Sequence, residues 1–168
     1  MLGRIALLAV ACAAPAAAQG DLASKMVNTP SEVSIYGGPA KVMDDPAVQG
    51  GKFVRVDSPG KPNAWDIGVS SAVTKPVKSG DKLVLAFFAK SANGGDITLP
   101  HNGLQLNAAP YTPVFSQPVT IGAAWKLHQV AGKADKDYPA GGLGVAMHLS
   151  AAKQVVDLGP VIVLNLGQ

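Results

Sequence analysis

Glycine and proline recur along this chain too often for long helices to form. The sequence holds 19 Gly and 13 Pro among its 168 residues, and either residue destabilises a helix interior by about 1 kcal/mol or more. Between these turn residues lie short segments of alternating or continuous apolar character, which is typical of β-strands. The sequence therefore predicts an all-β protein.

Two kinds of strand are recognisable from the pattern of apolar residues. Residues 143–149 alternate, so that Leu, Val, Met and Leu share one side, which we expect to face the core. Residues 82–90 are apolar on both faces, as in a strand that is covered on both sides. From Val33 onward about nine or ten such segments follow one another, and they predict a two-layer β-sandwich.

Charge and composition exclude several classes of protein. Apolar residues make up 48% of the chain and charged residues only 15%, which excludes a disordered tail and a coiled coil. The formal net charge is +3, but the lysines are scattered singly and form no basic run. Nucleic-acid binders concentrate basic residues on one stripe, so we expect no nucleic-acid partner.

The N-terminus has the three-part pattern of a secretory signal peptide, residues 1–18. Arg4 precedes an apolar stretch over residues 5–14, and a run of alanines ends at Ala18. The stretch is too short to span a bilayer. We expect cleavage after Ala18, export to the periplasm or the medium, and a mature chain that starts near Gln19.

The remaining chain divides into an N-terminal segment, residues 19–32, and the predicted sandwich, residues 33–168, with no transmembrane segment in either. Cys12 is the only cysteine and lies in the signal peptide, so the exported part has neither a disulfide nor a cysteine nucleophile. We read Cys12 as an incidental small residue. The alternative is a lipoprotein anchor, since residues 9–12 loosely resemble a lipobox.

Five segments in fixed order resemble one known family. They are Gly-Lys-Phe-Val-Arg-Val at 51–56, Trp-Asp-Ile-Gly-Val at 65–69, the long apolar strand of 77–90, Ala-Trp-Lys at 124–126, and the closing strand at 155–163. Together they resemble the carbohydrate-binding modules attached to xylanases and glucanases (families 4, 9 and 22), which belong to the galactose-binding-like group. One departure is Leu83, where the family usually has Tyr.

The resemblance implies a two-layer jelly-roll β-sandwich that binds a polysaccharide or glycan without catalysis. We expect no attached catalytic domain, so the expected partner besides the glycan is a separately encoded glycoside hydrolase or an envelope protein. The alternative is a periplasmic or envelope domain that uses the same fold to contact another protein. A third possibility is an esterase or lyase, but Glu32 is the only Glu, and no paired carboxylates or nucleophile motif stand out.

Two aromatic residues are candidates for stacking on a sugar ring. Trp65 follows a flexible Pro- and Gly-rich turn, so its ring either lies at the rim of the sandwich or packs in the core with Ile67 and Val69. Tyr111 lies between two prolines, which we expect to hold it extended, either as an exposed ring or as a clamp on the core. Trp125 shares a strand face with Leu127, and we expect it to pack in the core.

Polar candidates surround these rings. Asn102, Gln105 and Asn107, together with the neighbouring His101, offer hydrogen bonds to sugar hydroxyls. His128 and His148 are expected on the polar sides of their strands, as two separate surface residues or, if those strands share a sheet, as neighbours on one exposed face.

Charged residues provide the last candidates. Arg55 is available for an acidic sugar, although Asp57 and Asp66 are ready protein partners. The family resemblance implies a structural calcium ion held by Asp157 in the final strand and by Asp44 and Asp45 in an early loop.

Overall fold

The computed structural model describes the backbone of residues 16–168 and the side chains from residue 21 onward. Ten strands make up most of this part, which confirms the all-β prediction. The elements are α1 (Ala16–Lys25), β1 (Ser34–Tyr36), β2 (Ala40–Asp44), β3 (Lys52–Pro59), β4 (Gly68–Ala72), β5 (Lys82–Ser91), β6 (Ile97–Leu106), β7 (Pro113–Ile121), β8 (Lys126–Lys133), β9 (Leu143–His148) and β10 (Lys153–Asn165), with 3-10 turns at Pro30–Glu32 and Ala64–Asp66.

The strands form two antiparallel sheets of five strands each. The first sheet has the order β1-β4-β9-β6-β7, and the second has the order β2-β3-β10-β5-β8. All strand pairs in both sheets are antiparallel. The two-layer sandwich predicted from the sequence is therefore confirmed.

Alternation along the strands builds the core between the two sheets. Leu143, Val145 and Met147 of β9 point inward and are buried, as predicted. Phe87 of β5 faces them from the second sheet and has no exposed surface. Burying one such large apolar side chain stabilises the fold by about 1.5–3 kcal/mol.

Strand β5 is buried on its outer face as well, as its sequence predicts. The loop after β2 folds over this face and brings the buried Val48 against Gly159 and Phe88. A Cβ at Gly159 would lie 2.6 Å from Val48 Cγ2. Glycine at this position therefore lets the loop lie close to the sheet.

Asn28, in the segment between α1 and β1, connects the two sheets. Its side-chain amide donates hydrogen bonds to Ser71 Oγ in β4 (3.2 Å) and to the carbonyl of Val161 in β10 (3.1 Å). Its Oδ1 accepts a hydrogen bond from the backbone N–H of Val163 at 2.7 Å. The N-terminal segment thus contributes to the sandwich.

Three details differ from what the local sequence pattern indicates. Alternation over residues 65–70 indicates a strand from Trp65, but β4 begins at Gly68, after the 3-10 turn Ala64–Asp66. The segments 96–99 and 104–106 indicate two short strands, but they belong to one strand, β6, because a bulge between Leu99 and Asn102 accommodates the proline between them. Strand β2 was not predicted at all.

The predicted signal peptide lies almost wholly outside the described residues, and Cys12 lies outside them too. Within residues 16–168, α1 is the only α-helix, and it is too short to cross a bilayer.

Candidate functional site

A groove of about 640 Å³ crosses the outer face of the first sheet. Its floor consists of small residues on β4 and β9, namely Ser70, Gly144 and Ala146. Because side chains alternate along a strand, the same arrangement sends Val69 and Val145 into the core beneath them. The pattern that builds the core therefore also leaves a smooth floor on the opposite face.

Two glycines make room for the side chains that border this floor. A Cβ at Gly68 would collide with the hydroxyl of Tyr36, and a Cβ at Gly144 would lie 2.7 Å from Asn107 Oδ1. Both positions therefore require glycine, because any other residue would carry the colliding Cβ. The groove depends on these glycines for its width.

Trp65 borders one end of the groove with 57% of its surface exposed. It sits on the 3-10 turn Ala64–Asp66, where the Asp66 carboxylate accepts a hydrogen bond from the backbone N–H of Asn63 at 3.1 Å. Buried Ser150 fixes the same turn, because its hydroxyl donates to the carbonyl of Asn63 at 2.6 Å. The ring is thus exposed on a well-anchored support, at the rim and not in the core.

Tyr36, on the short edge strand β1, lies beside Trp65 and lines the same end of the groove. It is 40% exposed, and its hydroxyl reaches over Gly68 on the neighbouring strand. Partial burial raises the pKa of its phenol, so the group stays protonated at neutral pH and can donate a hydrogen bond. The sequence analysis did not identify this residue.

Tyr111 borders the opposite end and is 55% exposed. Its backbone has φ 55°, the left-handed conformation, and its N–H donates to the carbonyl of Ala108 at 2.9 Å in a tight turn. The expectation of an extended segment is therefore wrong. An exposed ring on a strained backbone is typical of a functional position.

Amide side chains lie between the two ends. Gln105 of β6 and Asn107 both line the groove. The amide nitrogen of Asn107 donates to the carbonyl of Gly141 at 3.2 Å, which orients its oxygen towards Gly144. The wall of the groove next to Gly144 therefore offers hydrogen-bonding groups, and the amide of Asn107 has a fixed orientation.

A stacked pair of histidines completes the site. The rings of His101 on β6 and His148 on β9 lie nearly parallel, with centroids 4.3 Å apart and planes 14° apart. Trp65 meets His148 edge-on with centroids 6.1 Å apart. Burial lowers the pKa of His101, and burial together with the neighbouring His101 lowers the pKa of His148 to about 4. Both rings are therefore neutral at pH 7.

The structure thus brings five of the eight predicted ligand-binding residues together. Those five are Trp65, Gln105, Asn107, Tyr111 and His148. The sequence analysis missed two further features, Tyr36 and the stacking of His101 on His148. Alternation along β6 places His101 on the outer face, but only the strand order reveals that it faces His148.

Asn102 does not belong to the groove, contrary to the prediction. It follows His101 on β6, so its side chain points the other way and is fully buried. Its amide donates to the carbonyls of Leu99 at 2.9 Å and Gln117 at 3.1 Å. These bonds stabilise the bulge in β6, which makes Asn102 a structural residue.

His128 was also placed wrongly. It lies on β8 in the second sheet, whereas His148 lies on β9 in the first, so the two imidazoles share no face. His128 points inward and stacks on the core ring of Phe87, with centroids 5.5 Å apart. It is a packing residue and not part of the groove.

Arg55 faces away from the groove as well, on the outer face of the second sheet. Its guanidinium donates two hydrogen bonds to the buried carboxylate of Asp157, at 2.7 and 2.8 Å. The partner is therefore neither Asp57 nor Asp66, which the sequence had offered. Arg55 is engaged in an internal ion pair and is not placed to contact a ligand in the groove.

The three carboxylates named for calcium are all paired with cations. Asp157 accepts from Arg55, and Asp44 pairs with Lys52 at 2.6 Å. Lys90 lies between the other two, with its ammonium 3.4 Å from Asp45 and 3.8 Å from Asp157. A calcium ion needs six to eight free oxygen ligands, and these carboxylates do not provide them as they are arranged. Across the described side chains, no cluster of three metal-ligating groups occurs.

Trp125 was expected to pack in the core of the sandwich, but this prediction is wrong. Its side chain lies instead beside Asp45 and Lys90 on the outer face of the second sheet. Its Nε1 donates to Asp45 at 2.8 Å, and its ring packs edge-on against Phe53. The ammonium of Lys90 lies 4.8 Å from the centre of its ring, a cation–π contact. Together these contacts anchor the loop after β2 on the second sheet.

No protein-family model matches the sequence, and no curated protein matches it either. Similarity appears only at the level of solved structures.

Three of these structures cover most of the chain. A family 4 carbohydrate-binding module shares 18% identity over 81% of this chain and 96% of its own, with a TM-score of 0.62. The second N-terminal cellulose-binding domain of Cellulomonas fimi β-1,4-glucanase C shares 21% identity over 86% of this chain and 92% of its own, with a TM-score of 0.62. A family 22 xylan-binding domain of Paenibacillus barcinonensis Xyn10C shares 16% identity over 81% and 86%, with a TM-score of 0.59.

The chain therefore has the fold of the family 4 and family 22 carbohydrate-binding modules. This confirms the fold that the sequence motifs implied. Identities of this size establish the fold alone, and the function must be argued from the groove.

Proposed function

We propose that this protein is an exported, non-catalytic carbohydrate-binding module that holds a polysaccharide or glycan in the groove of the first sheet. The observation that carries the proposal is the placement of two exposed rings, Trp65 and Tyr111, at opposite ends of one groove with the amides of Gln105 and Asn107 alongside. Exposed apolar rings that line one groove are typical of a ligand-binding site, whereas rings scattered singly over a surface are not.

The chemistry of the groove suits a sugar chain. A pyranose ring presents C–H bonds that pack on the electron-rich face of an aromatic ring and bury apolar area. Its hydroxyls need neutral donors and acceptors, which the amides and the neutral imidazoles provide. The described lining residues include no Asp, Glu, Lys or Arg, which favours an uncharged ligand.

The similar structures support the same class of ligand. They include domains named as cellulose-binding and xylan-binding, and their fold is the fold of this chain. In one of them a family 22 module is joined to a family 10 xylanase. A separately encoded glycoside hydrolase is accordingly a reasonable partner, with an envelope protein as the alternative.

Two further parts of the proposal, the absence of catalysis and export, rest on separate observations. Glycoside hydrolysis generally uses a pair of carboxylates, and none lines the groove within the described part of the chain, which supports a binding role. Export rests on the signal-peptide pattern of residues 1–18.

A titration of the purified protein with soluble β-glucan, xylan and mannan, followed by tryptophan fluorescence, tests the proposal. The chain has two tryptophans, so Trp125→Phe leaves Trp65 as the only reporter. We expect a saturable change with at least one polysaccharide. Trp65→Ala lacks this reporter, so its binding is measured by isothermal titration calorimetry, in which the parent protein should bind and the variant should not.

Leu127→Ala is the matched control, because Leu127 is an exposed apolar residue on the second sheet. It should bind as the parent protein does. No response to any polysaccharide from a folded sample would overturn the proposal and favour a protein-interaction domain.

A further inference from the structure

We propose that the stacked pair His101–His148 contacts the ligand at the Trp65 end of the groove, and that protonation of either ring weakens glycan binding. This inference rests on the proposed function of the groove and names the residues that regulate it.

The pair forms the last two positions of a row that crosses four strands. Tyr36 pairs with Gly68, and Gly68 pairs in turn with His148 on the next strand. His101 then stacks on His148 from β6. Since Gly68 has no side chain, the two imidazoles form the raised part of the floor beside Trp65, where a sugar resting on that ring would lie.

The surroundings hold no counter-charge that would stabilise an imidazolium. The described parts of β4, β6, β7 and β9 that pack around the pair contain no Asp, Glu, Lys or Arg. From the adjoining turns, the Asp66 carboxylate is bonded to Asn63, and the Lys61 ammonium donates to the carbonyl of Gly37 at 2.6 Å. The remaining titratable groups are the phenols of Tyr36 and Tyr111.

Protonation would therefore disrupt the pair. The buried Nε2 of His101 has no hydrogen-bond partner among the described residues, so a proton placed there would lack an acceptor. A charge on one ring would face its neighbour at 4.3 Å, and two charged rings would repel. Separation of the rings would also remove the packing partner of Trp65.

Ligand binding and protonation are then linked. A glycan that covers the pair removes water from the imidazoles, and water is what stabilises their charged forms. The complex should therefore bind protons less readily than the free protein, so affinity falls once the free rings begin to protonate. From the pKa of about 4 for His148, protonation of His148 alone should make the association constant about fourfold lower at pH 3.5 than at pH 7.5. Protonation of His101 adds to this decrease.

The chain contains three histidines, so an NMR spectrum of histidine-labelled protein resolves each ring. Cellohexaose and xylohexaose are the probes. At pH 7.5 we expect a probe to shift the signals of His101 and His148 and to leave those of His128 in place. Saturation should also lower the pH midpoint of the His148 titration.

Two variants keep the inference testable. The double variant His101→Gln/His148→Gln retains neutral hydrogen-bonding groups, and its affinity should not depend on pH. His128→Gln removes the histidine on the other sheet and should leave the pH dependence intact. Circular dichroism at each pH confirms that the samples are folded.

The outcomes distinguish a failure of this inference from a failure of the proposed function. If a probe changes the Trp65 fluorescence but shifts neither imidazole of the pair, or if the double variant His101→Gln/His148→Gln keeps the pH dependence, this inference is overturned and the proposed function stands. If neither hexasaccharide nor any polysaccharide binds at pH 7.5, both are overturned.

Discussion

Arg55 and Asp157 form a two-pronged ion pair between the adjacent strands β3 and β10, with Nε–Oδ1 and Nη2–Oδ2 distances of 2.7 and 2.8 Å. The Asp157 side chain is fully buried, whereas that of Arg55 is 39% exposed. The guanidinium therefore covers a buried negative charge and separates it from solvent. Such a pair need not add net stability, but its disruption leaves an uncompensated charge.

Arg55→Met should lower the free energy of unfolding by about 3 kcal/mol. The value lies at the low end for a broken buried pair because the Lys90 ammonium remains 3.8 Å from Asp157. Urea denaturation measures the loss. Lys41→Met, an exposed lysine opposite Arg55 on β2, is the control, and equal stability of the two variants would contradict the prediction.

The calcium ion implied by the family resemblance stays a prediction, and the structure leads us to expect no binding at the proposed residues. The Lys90 ammonium lies between Asp45 and Asp157, where the ion would have to sit. Thermal unfolding should accordingly give the same melting temperature in EDTA and in millimolar CaCl₂. A rise in melting temperature with calcium would show that other oxygen ligands, including backbone carbonyls, hold an ion.

Two substitutions at Tyr111 should separate its effects on binding and on stability. With φ 55°, any residue other than glycine is strained by about 1–2 kcal/mol. Tyr111→Gly should therefore be more stable than Tyr111→Ala by about 1 kcal/mol. Both variants remove the ring and should weaken glycan binding to a similar degree, by about tenfold.

Equal stability of the two Tyr111 variants would show that the backbone relaxes to an ordinary conformation once the ring is removed. Urea denaturation and the fluorescence titration together make the comparison.

Asn28→Leu should destabilise the protein by about 3 kcal/mol, because it leaves the buried N–H of Val163 and the carbonyl of Val161 without their side-chain partner. The measurement is again urea denaturation. Ser31→Ala, on the exposed 3-10 turn Pro30–Glu32, should change little. A loss below 1 kcal/mol in Asn28→Leu would mean that the N-terminal segment is not needed to hold the sheets together.

The sequence predicted the sandwich because alternation is strong where one face of a strand is buried. In β9 it even predicts the groove floor, since Gly144, Ala146 and His148 must lie opposite the core residues. Alternation is a property of one strand, however, and the groove arises from four strands that are distant in the chain. The contact between His101 and His148 depends on strand order, which no local pattern contains.

The error at His128 has a different physical origin. At the start of β8, Leu127 and the preceding Trp125 are apolar but lie on the outer face, where the loop after β2 and Lys90 cover part of the sheet. The opposite face, with His128 and Val130, is the buried one. When both faces of a strand carry apolar residues, the pattern alone does not indicate which faces the core.

The stability of the fold should fall as the pH is lowered from about 6.5 towards 4. Burial lowers the pKa of all three histidines below the value of 6.5, in the case of His148 to about 4. In this pH range the unfolded chain binds protons that the folded chain does not, so protonation favours unfolding. The aspartates with lowered pKa, such as Asp45, have ordinary values near 3.8. Their contribution to stability is lost mainly below this pH, where the unfolded chain takes up protons while the folded carboxylates are still ionised.

Urea denaturation at pH 7.5, 6 and 5 measures this dependence. His148→Gln should flatten the dependence of stability on pH, because burial and the neighbouring His101 lower the pKa of His148 to about 4. Lys75→Gln, on an exposed loop, leaves the histidines unchanged and should retain the parent slope. If His148→Gln loses stability between pH 7.5 and 5 as steeply as the parent protein, His148 already titrates at its ordinary pKa in the fold, and the stacked pair does not exclude protons.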